Sequence, residues 1–167
     1  MMKGNKKEKW NMKDVKYSLD ELKQQEKEYE FDRFTCEDAL KLGLILIEKA
    51  KSEKAPVAID ITRNGQQMFH YSFDEAAPDN DAWIQGKSKV VNFFHSSSLY
   101  MEYWLEENQK DMVKDRCVDP LVYRASGGSF PLTIKNVGIV GTITVSGLPS
   151  HLDHQLILDS LEEYRRR

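Results

Sequence analysis

The chain has 167 residues, 40% hydrophobic and 31% charged, with a net charge of −3; folding at this size removes roughly 70% of the unfolded surface, enough for a core without metal or disulfide staples. Two cysteines, Cys36 and Cys117, exclude a disulfide framework and a four-cysteine zinc site, and the longest apolar run, Leu42 to Ile47, is far too short to span a membrane. Residues 1–13 carry five lysines and one glutamate, a net +4 that leaves −7 on the rest, so the acidic body argues against nucleic-acid binding.

Residues 1–13 read as a basic, disordered leader ahead of one domain over 14–167. The leader has no apolar h-region, so a secretory signal is not expected and the default compartment is cytoplasmic. Ser18-Leu19-Asp20-Glu21 has capping-box spacing and opens a charged helix to about Lys27. A second helix starts at Thr35, with Asp38 three residues on. Its Ala39, Leu42, Gly43, Leu46 and Ala50 recur at helical spacing, and Leu44, Ile45 and Ile47 widen the stripe beyond one face. Such a helix is either deeply buried or shared with another subunit.

Pro56 ends it. Val57 to Ile61 alternate as a strand, and Asn64-Gly65 marks a tight hairpin because both turn residues need positive φ. Pairing outward from that turn places Val57, Ile59, Ile61, Met68, His70 and Ser72 on one face, and Ala58, Asp60, Phe69, Tyr71 and Phe73 on the other. Asp79-Asn80-Asp81 caps a third helix carrying Trp83, Ile84, Val90, Val91 and Phe94, with Gly86 permitting close approach of another backbone. Ser96 to Ser98 interrupt it, and a fourth helix runs over about 99–108. Val122 to Ser126, Phe130 to Ile134 and Ile139 to Ser146 read as three strands. Ser150 then caps a final helix with Asp153 at N3, its apolar side formed by Leu152, Leu156, Ile157, Leu161 and Tyr164. The order α-α-β-β-α-α-β-β-β-α with hairpin links gives an α+β domain, with five mainly antiparallel strands and helices on both faces.

Chemistry concentrates at Val145 to His154, where a strand ends in Gly147 and a helix begins at once. Free amides at a helix N-terminus attract anions, and Ser146, Ser150, His151 and His154 add donors. Thr142, Thr144 and Ser146 form a hydroxyl row on one strand face, and the turn Gly127-Gly128-Ser129 offers more amides. A carboxylate, phosphate or propionate suits this set. The same residues also serve plain structure, as turn, caps and strand formers. His151 and His154, three apart, share a helix face but have no evident third metal ligand, so no metal site is assigned. Asp60 is placed among aromatics, with Lys87 or Lys89 within reach of it. No P-loop, strand-associated GxGxxG, GxSxG or HExxH occurs.

The run Gly127-Gly128-Ser129-Phe130-Pro131, then Gly138-Ile139-Val140-Gly141 through Val145-Ser146-Gly147-Leu148, then Asp153-His154, resembles the GlcG/HbpS-like, or heme-degrading domain, family. Asp79-Asn80-x-x-Trp83-x-x-x-Lys87 and Thr35-x-x-Asp38-Ala39-x-x-x-Gly43 resemble its cytosolic, functionally uncharacterised branch, and the similarity covers about residues 18–165. The resemblance implies a three-layer α/β/α fold with a five-stranded antiparallel sheet, similar to profilin and PAS-type sheets. It implies a homo-oligomer, and relatives that bind heme, take part in heme breakdown or have no assigned activity. It carries no heme-iron ligand onto a numbered position here.

The resulting expectation is a homo-oligomeric domain binding a small anionic ligand, with heme as the named candidate. The ligand-binding set is Gly127, Gly128, Ser146, Gly147, His151 and His154, with Asn80 and Lys87 nearby. An enzyme of oxidative heme breakdown or other small-molecule conversion, and a protein-interaction scaffold, are the competing classes.

Overall fold

The computed structural model describes residues 12–167. The expected leader therefore lies outside the described residues, apart from Met12 and Lys13; Met12 is buried in the main apolar cluster.

Helices α1 (Leu19–Glu28) and α2 (Cys36–Ser52) start where local chemistry places them. In each, a hydroxyl and a carboxylate three residues apart satisfy one another's backbone amides: Ser18 with Glu21, Thr35 with Asp38. Strands β1 (Ala58–Arg63) and β2 (Gln66–Ser72) form the Asn64-Gly65 hairpin. Both turn residues have positive φ, 51° and 77°. Helices α3 (Pro78–Phe94) and α4 (Ser98–Glu107) follow, then β3 (Ser129–Ile134), β4 (Gly138–Ser146) and α5 (Ser150–Arg166).

The sheet has four strands, in the order β2-β1-β4-β3, with every named pair antiparallel. The fifth strand expected at Val122 to Ser126 is absent. That segment is held by turn bonds from the Val122 and Tyr123 amides to the Asp119 carbonyl, and it lies against α3 rather than the sheet. The Arg124 amide donates to the Gly86 carbonyl at 3.1 Å, and the Arg124 guanidinium stacks 4.4 Å from the Trp83 ring centre. Gly86 permits that approach, since a Cβ there would sit 2.6 Å from the Arg124 side chain. On the β3 edge, Phe31 makes a single parallel bridge to Ile134.

The two sheet faces differ in kind. Val57, Ile59, Ile61, Phe130, Leu132, Ile143 and Val145 form an apolar face packed by Leu42 and Leu46 of α2 and Leu156, Ile157 and Leu161 of α5. The opposite face carries Asp60, Thr62, Ser129, Thr142, Thr144 and Ser146, and α3 and α4 cover it. Ser88 of α3 bonds Thr144 at 3.0 Å, and Ser98 of α4 bonds the Ser129 backbone.

The expected faces of β2 are reversed. Ile61 pairs with Phe69 and Thr62 with Gln67, so Met68 is an extra bulged residue. One extra residue flips every side chain beyond it. Phe69 and Tyr71 therefore join the apolar face, and His70 comes opposite Asp60. Gly43 in α2 receives Phe69: a Cβ at Gly43 would lie 2.5 Å from its ring.

Two helix starts also shift. α3 begins at Pro78 behind Ala77, whose amide donates to the Asn80 side chain at 2.9 Å, so the Asp79-Asn80-Asp81 run lies inside the first turn. α5 is capped at Pro149, which frees Ser150 and Asp153 for other partners.

Candidate functional site

The junction of β4 and α5 meets the start of α3 and the loop before β3. A cavity of about 220 Å³ opens there, lined by Asp79, Asn80, Trp83, Lys87, Ser126, Ser146, Gly147, Leu148 and Asp153. At its base lies Lys87, 3% exposed; no other lysine or arginine among the described residues is buried. Its ammonium donates to Asp153 Oδ2 at 2.8 Å and to the Val145 carbonyl at 3.2 Å.

Asp153 is the residue whose role sequence reasoning missed. Its carboxylate accepts from Lys87, from the Leu148 amide at 3.0 Å and from the Gly147 amide at 3.4 Å. Burial pushes this carboxyl up, to about 6, against the pull of Lys87 and the two amides. The amides expected to grip an external anion thus hold an internal one. The Gly127 amide is taken too, donating to Glu102 Oε2 at 2.7 Å, while Ser150 donates to Glu102 Oε1 at 3.0 Å. Burial likewise raises the Glu102 carboxyl, opposed by those two donors.

Of the expected set, Asn80, Lys87, Ser146 and Gly147 line one cavity. Asn80 Nδ2 reaches the Ser146 carbonyl and hydroxyl at 3.3 and 3.4 Å. Gly128 borders it by making room: φ is +120°, and a Cβ there would lie 2.7 Å from the Lys87 ammonium. Gly127 is pinned beneath Ser150 and Leu99.

His151 and His154 do not converge. His151 Nε2 faces Asp14 at 2.5 Å. His154 is fully buried, bonds Gln25 of α1 through Nε2 at 2.9 Å and packs edge-on to Tyr17. Desolvation holds it neutral, lowering its pKa to about 3. Asp60 is not beside a lysine; it accepts from Thr62 at 2.7 Å and Gln67 at 2.6 Å. Among the described residues, no group of three or more His, Cys, Asp or Glu is arranged to hold a metal ion. No helix among them is long and apolar enough to cross a membrane.

Comparison with known proteins agrees with this architecture. A family model described as "Haem degrading protein HbpS-like" matches residues 34–162. The UPF0303 protein SCO2848 of Streptomyces coelicolor is 46% identical over 144 residues, covering 86% of this chain and 91% of that protein. The solved structure of the Ybr137w protein superposes with a TM-score of 0.83 at 32% identity, covering 91% of this chain and 90% of that one. A PduOC:heme complex shares the fold at 13% identity, with a TM-score of 0.66 over 77% of this chain and 93% of that one.

Proposed function

This chain belongs to the HbpS-like heme-degrading family, and from that premise we propose that it is a homo-oligomeric domain that binds a small anionic ligand at the β4–α5 corner. The observation that carries this reading is Lys87. An ammonium has three N–H donors, and two are spent on Asp153 and Val145. The third is available at the wall of a cavity also furnished with Asn80, Ser126 and Ser146. A carboxylate there gains a charge-assisted bond from Lys87, set against the Asp79 and Asp153 carboxylates that line the same cavity.

The cavity limits what enters. At about 220 Å³ it lies below the roughly 300–1,000 Å³ of ordinary ligand sites. A porphyrin does not fit inside it. Heme is accommodated only as a propionate in the corner, with the macrocycle outside against Trp83, which is exposed. His154 does not serve as an axial ligand, because its Nε2 is bonded to Gln25 inside the core. His151 is the partly exposed imidazole on this helix, its Nε2 paired with Asp14, which a heme iron would have to displace.

Self-association is part of the proposal. Leu40 and Leu44 are 45% and 49% exposed on α2, the stripe too wide for one face. Titrating hemin against the full chain tests the ligand: a Soret shift saturating near one equivalent and weakened in Lys87→Met and His151→Ala supports heme. An unchanged spectrum eliminates heme, and competition with acetate or succinate then decides whether any carboxylate is held.

A further inference from the structure

We propose a second ligand site, for a small alkylammonium ion, in the cleft between α3 and the polar face of the sheet. It is separate from the β4–α5 corner and does not depend on that reading. The cleft has a volume of about 430 Å³, within the usual range for small-ligand sites. Asp60, Thr62, Gln67 and His70 of β1 and β2, Thr142 of β4 and Asp81 of α3 line it.

The chemistry of this cleft is an excess of acceptors. Asp60 lies at its floor, 4% exposed, with one bond to each oxygen, from Thr62 and Gln67. A carboxylate has about four lone-pair sites, so it retains capacity. His70 Nδ1 faces the Ile59 carbonyl at 2.9 Å, an acceptor, so Nδ1 carries the proton. Nε2 faces Asp81 Oδ1 at 3.4 Å, an ion pair when the ring is protonated and two facing acceptors when it is neutral. Asp81 Oδ1 is itself buried without a hydrogen-bond partner, while the side chain as a whole is 48% exposed.

An independent observation comes from β4. Thr142 is 1% exposed, lines the same cleft, and its hydroxyl oxygen has no partner. Buried polar atoms are ordinarily bonded, so an orphan in a cleft that two carboxylates also line marks a place for a guest. No lysine or arginine lines the cleft among the described residues. Two aspartates with no lysine or arginine beside them, only the His70 imidazole, and an orphan hydroxyl call for a ligand that brings both positive charge and several N–H donors. A protonated primary amine does so; a carboxylate brings only repulsion.

Three four-carbon probes separate these possibilities: putrescine, 1,4-butanediol and succinate, titrated calorimetrically into the full chain at about pH 8, where alkylamines keep their proton. The expected result is saturable binding of putrescine, with butanediol and succinate weaker by tenfold or more. Asp60→Asn, which keeps the shape of the side chain, should weaken putrescine by tenfold or more. Should that variant not fold, Asp81→Asn and Thr142→Val each carry the same expectation of weaker binding. Equal binding of butanediol removes the charge requirement and overturns the proposal. So does undiminished putrescine binding in the folded variants, the signature of amine merely condensing on an acidic surface. Succinate binding as tight as putrescine and weakened by Asp60→Asn likewise overturns the proposal.

Discussion

Replacing Lys87 with Met leaves the Asp153 carboxylate buried with only the Gly147 and Leu148 amides as donors. Breaking one half of a buried pair costs about 3–5 kcal/mol. Asp153 has one escape, which is to take up a proton. Its ordinary pKa is 3.8, so remaining neutral at about pH 7 costs about 1.4 kcal/mol for each of roughly three units, or about 4 kcal/mol. That is the cost against the unfolded chain; against the wild type, whose carboxyl titrates at about 6, protonation alone caps the gap at about 1.4 kcal/mol at pH 7 and near zero at pH 6. The sign follows from proton counting. In the folded variant Asp153 holds a proton that the unfolded chain has lost, so stability falls as pH rises. In the wild type the carboxyl titrates at about 6, already raised by burial, so it is ionised over most of the same window. The gap between the two proteins should therefore widen from about pH 6 to about pH 8, by up to about 1.4 kcal/mol per unit. Urea unfolding followed by circular dichroism at three pH values measures it. In Lys87→Met/Asp153→Asn the widening should vanish, because the titrating group is gone. A gap below about 1 kcal/mol that ignores pH would refute the sealed ion pair.

His154, lowered by burial to about 3 from the ordinary 6.5, acts in the opposite direction: the unfolded chain gains a proton that the folded one refuses, so stability falls as pH drops through that window. His154→Leu should therefore gain on the wild type during acidification from about pH 6 to about pH 4, by at most about 1.4 kcal/mol per unit; parallel pH profiles of melting temperature would contradict this. Gly141→Ala places a Cβ 1.9 Å from the Thr62 carbonyl in the β1–β4 pairing. It should destabilise by about 1–3 kcal/mol or more, and a wild-type denaturant midpoint would show that the strands separate freely. Leu40→Glu/Leu44→Glu should reduce the mass found by light scattering, with the circular dichroism spectrum unchanged; an unaltered mass puts the self-contact on another face.

Much of the scaffold was legible because its causes are local. The Ser18/Glu21 and Thr35/Asp38 boxes, the Asn64-Gly65 turn and the apolar side of α5 each need only a few neighbouring residues. The hydroxyl row of Thr142, Thr144 and Ser146 was legible for the same reason, since strand alternation is a two-residue rule.

Features that depend on distant partners were not legible. The bulge at Met68 satisfies the packing of Phe69 against Gly43 in another element, and no pattern within β2 announces it. Val122 to Ser126 has strand-like composition, but Gly86 and Trp83 of α3 offer Arg124 a better seat than a sheet edge does. His151 and His154 share a helix side by spacing; the docking of α1 and of the segment before it decides that one faces Asp14 and the other is sealed against Gln25. Asp153 shows the limit most directly. The sequence by itself determines that a carboxylate stands near the start of a helix, because capping chemistry spans only a turn. Only the tertiary structure brings Lys87, 66 positions away, to within 2.8 Å of it and so gives the corner an internal ion pair.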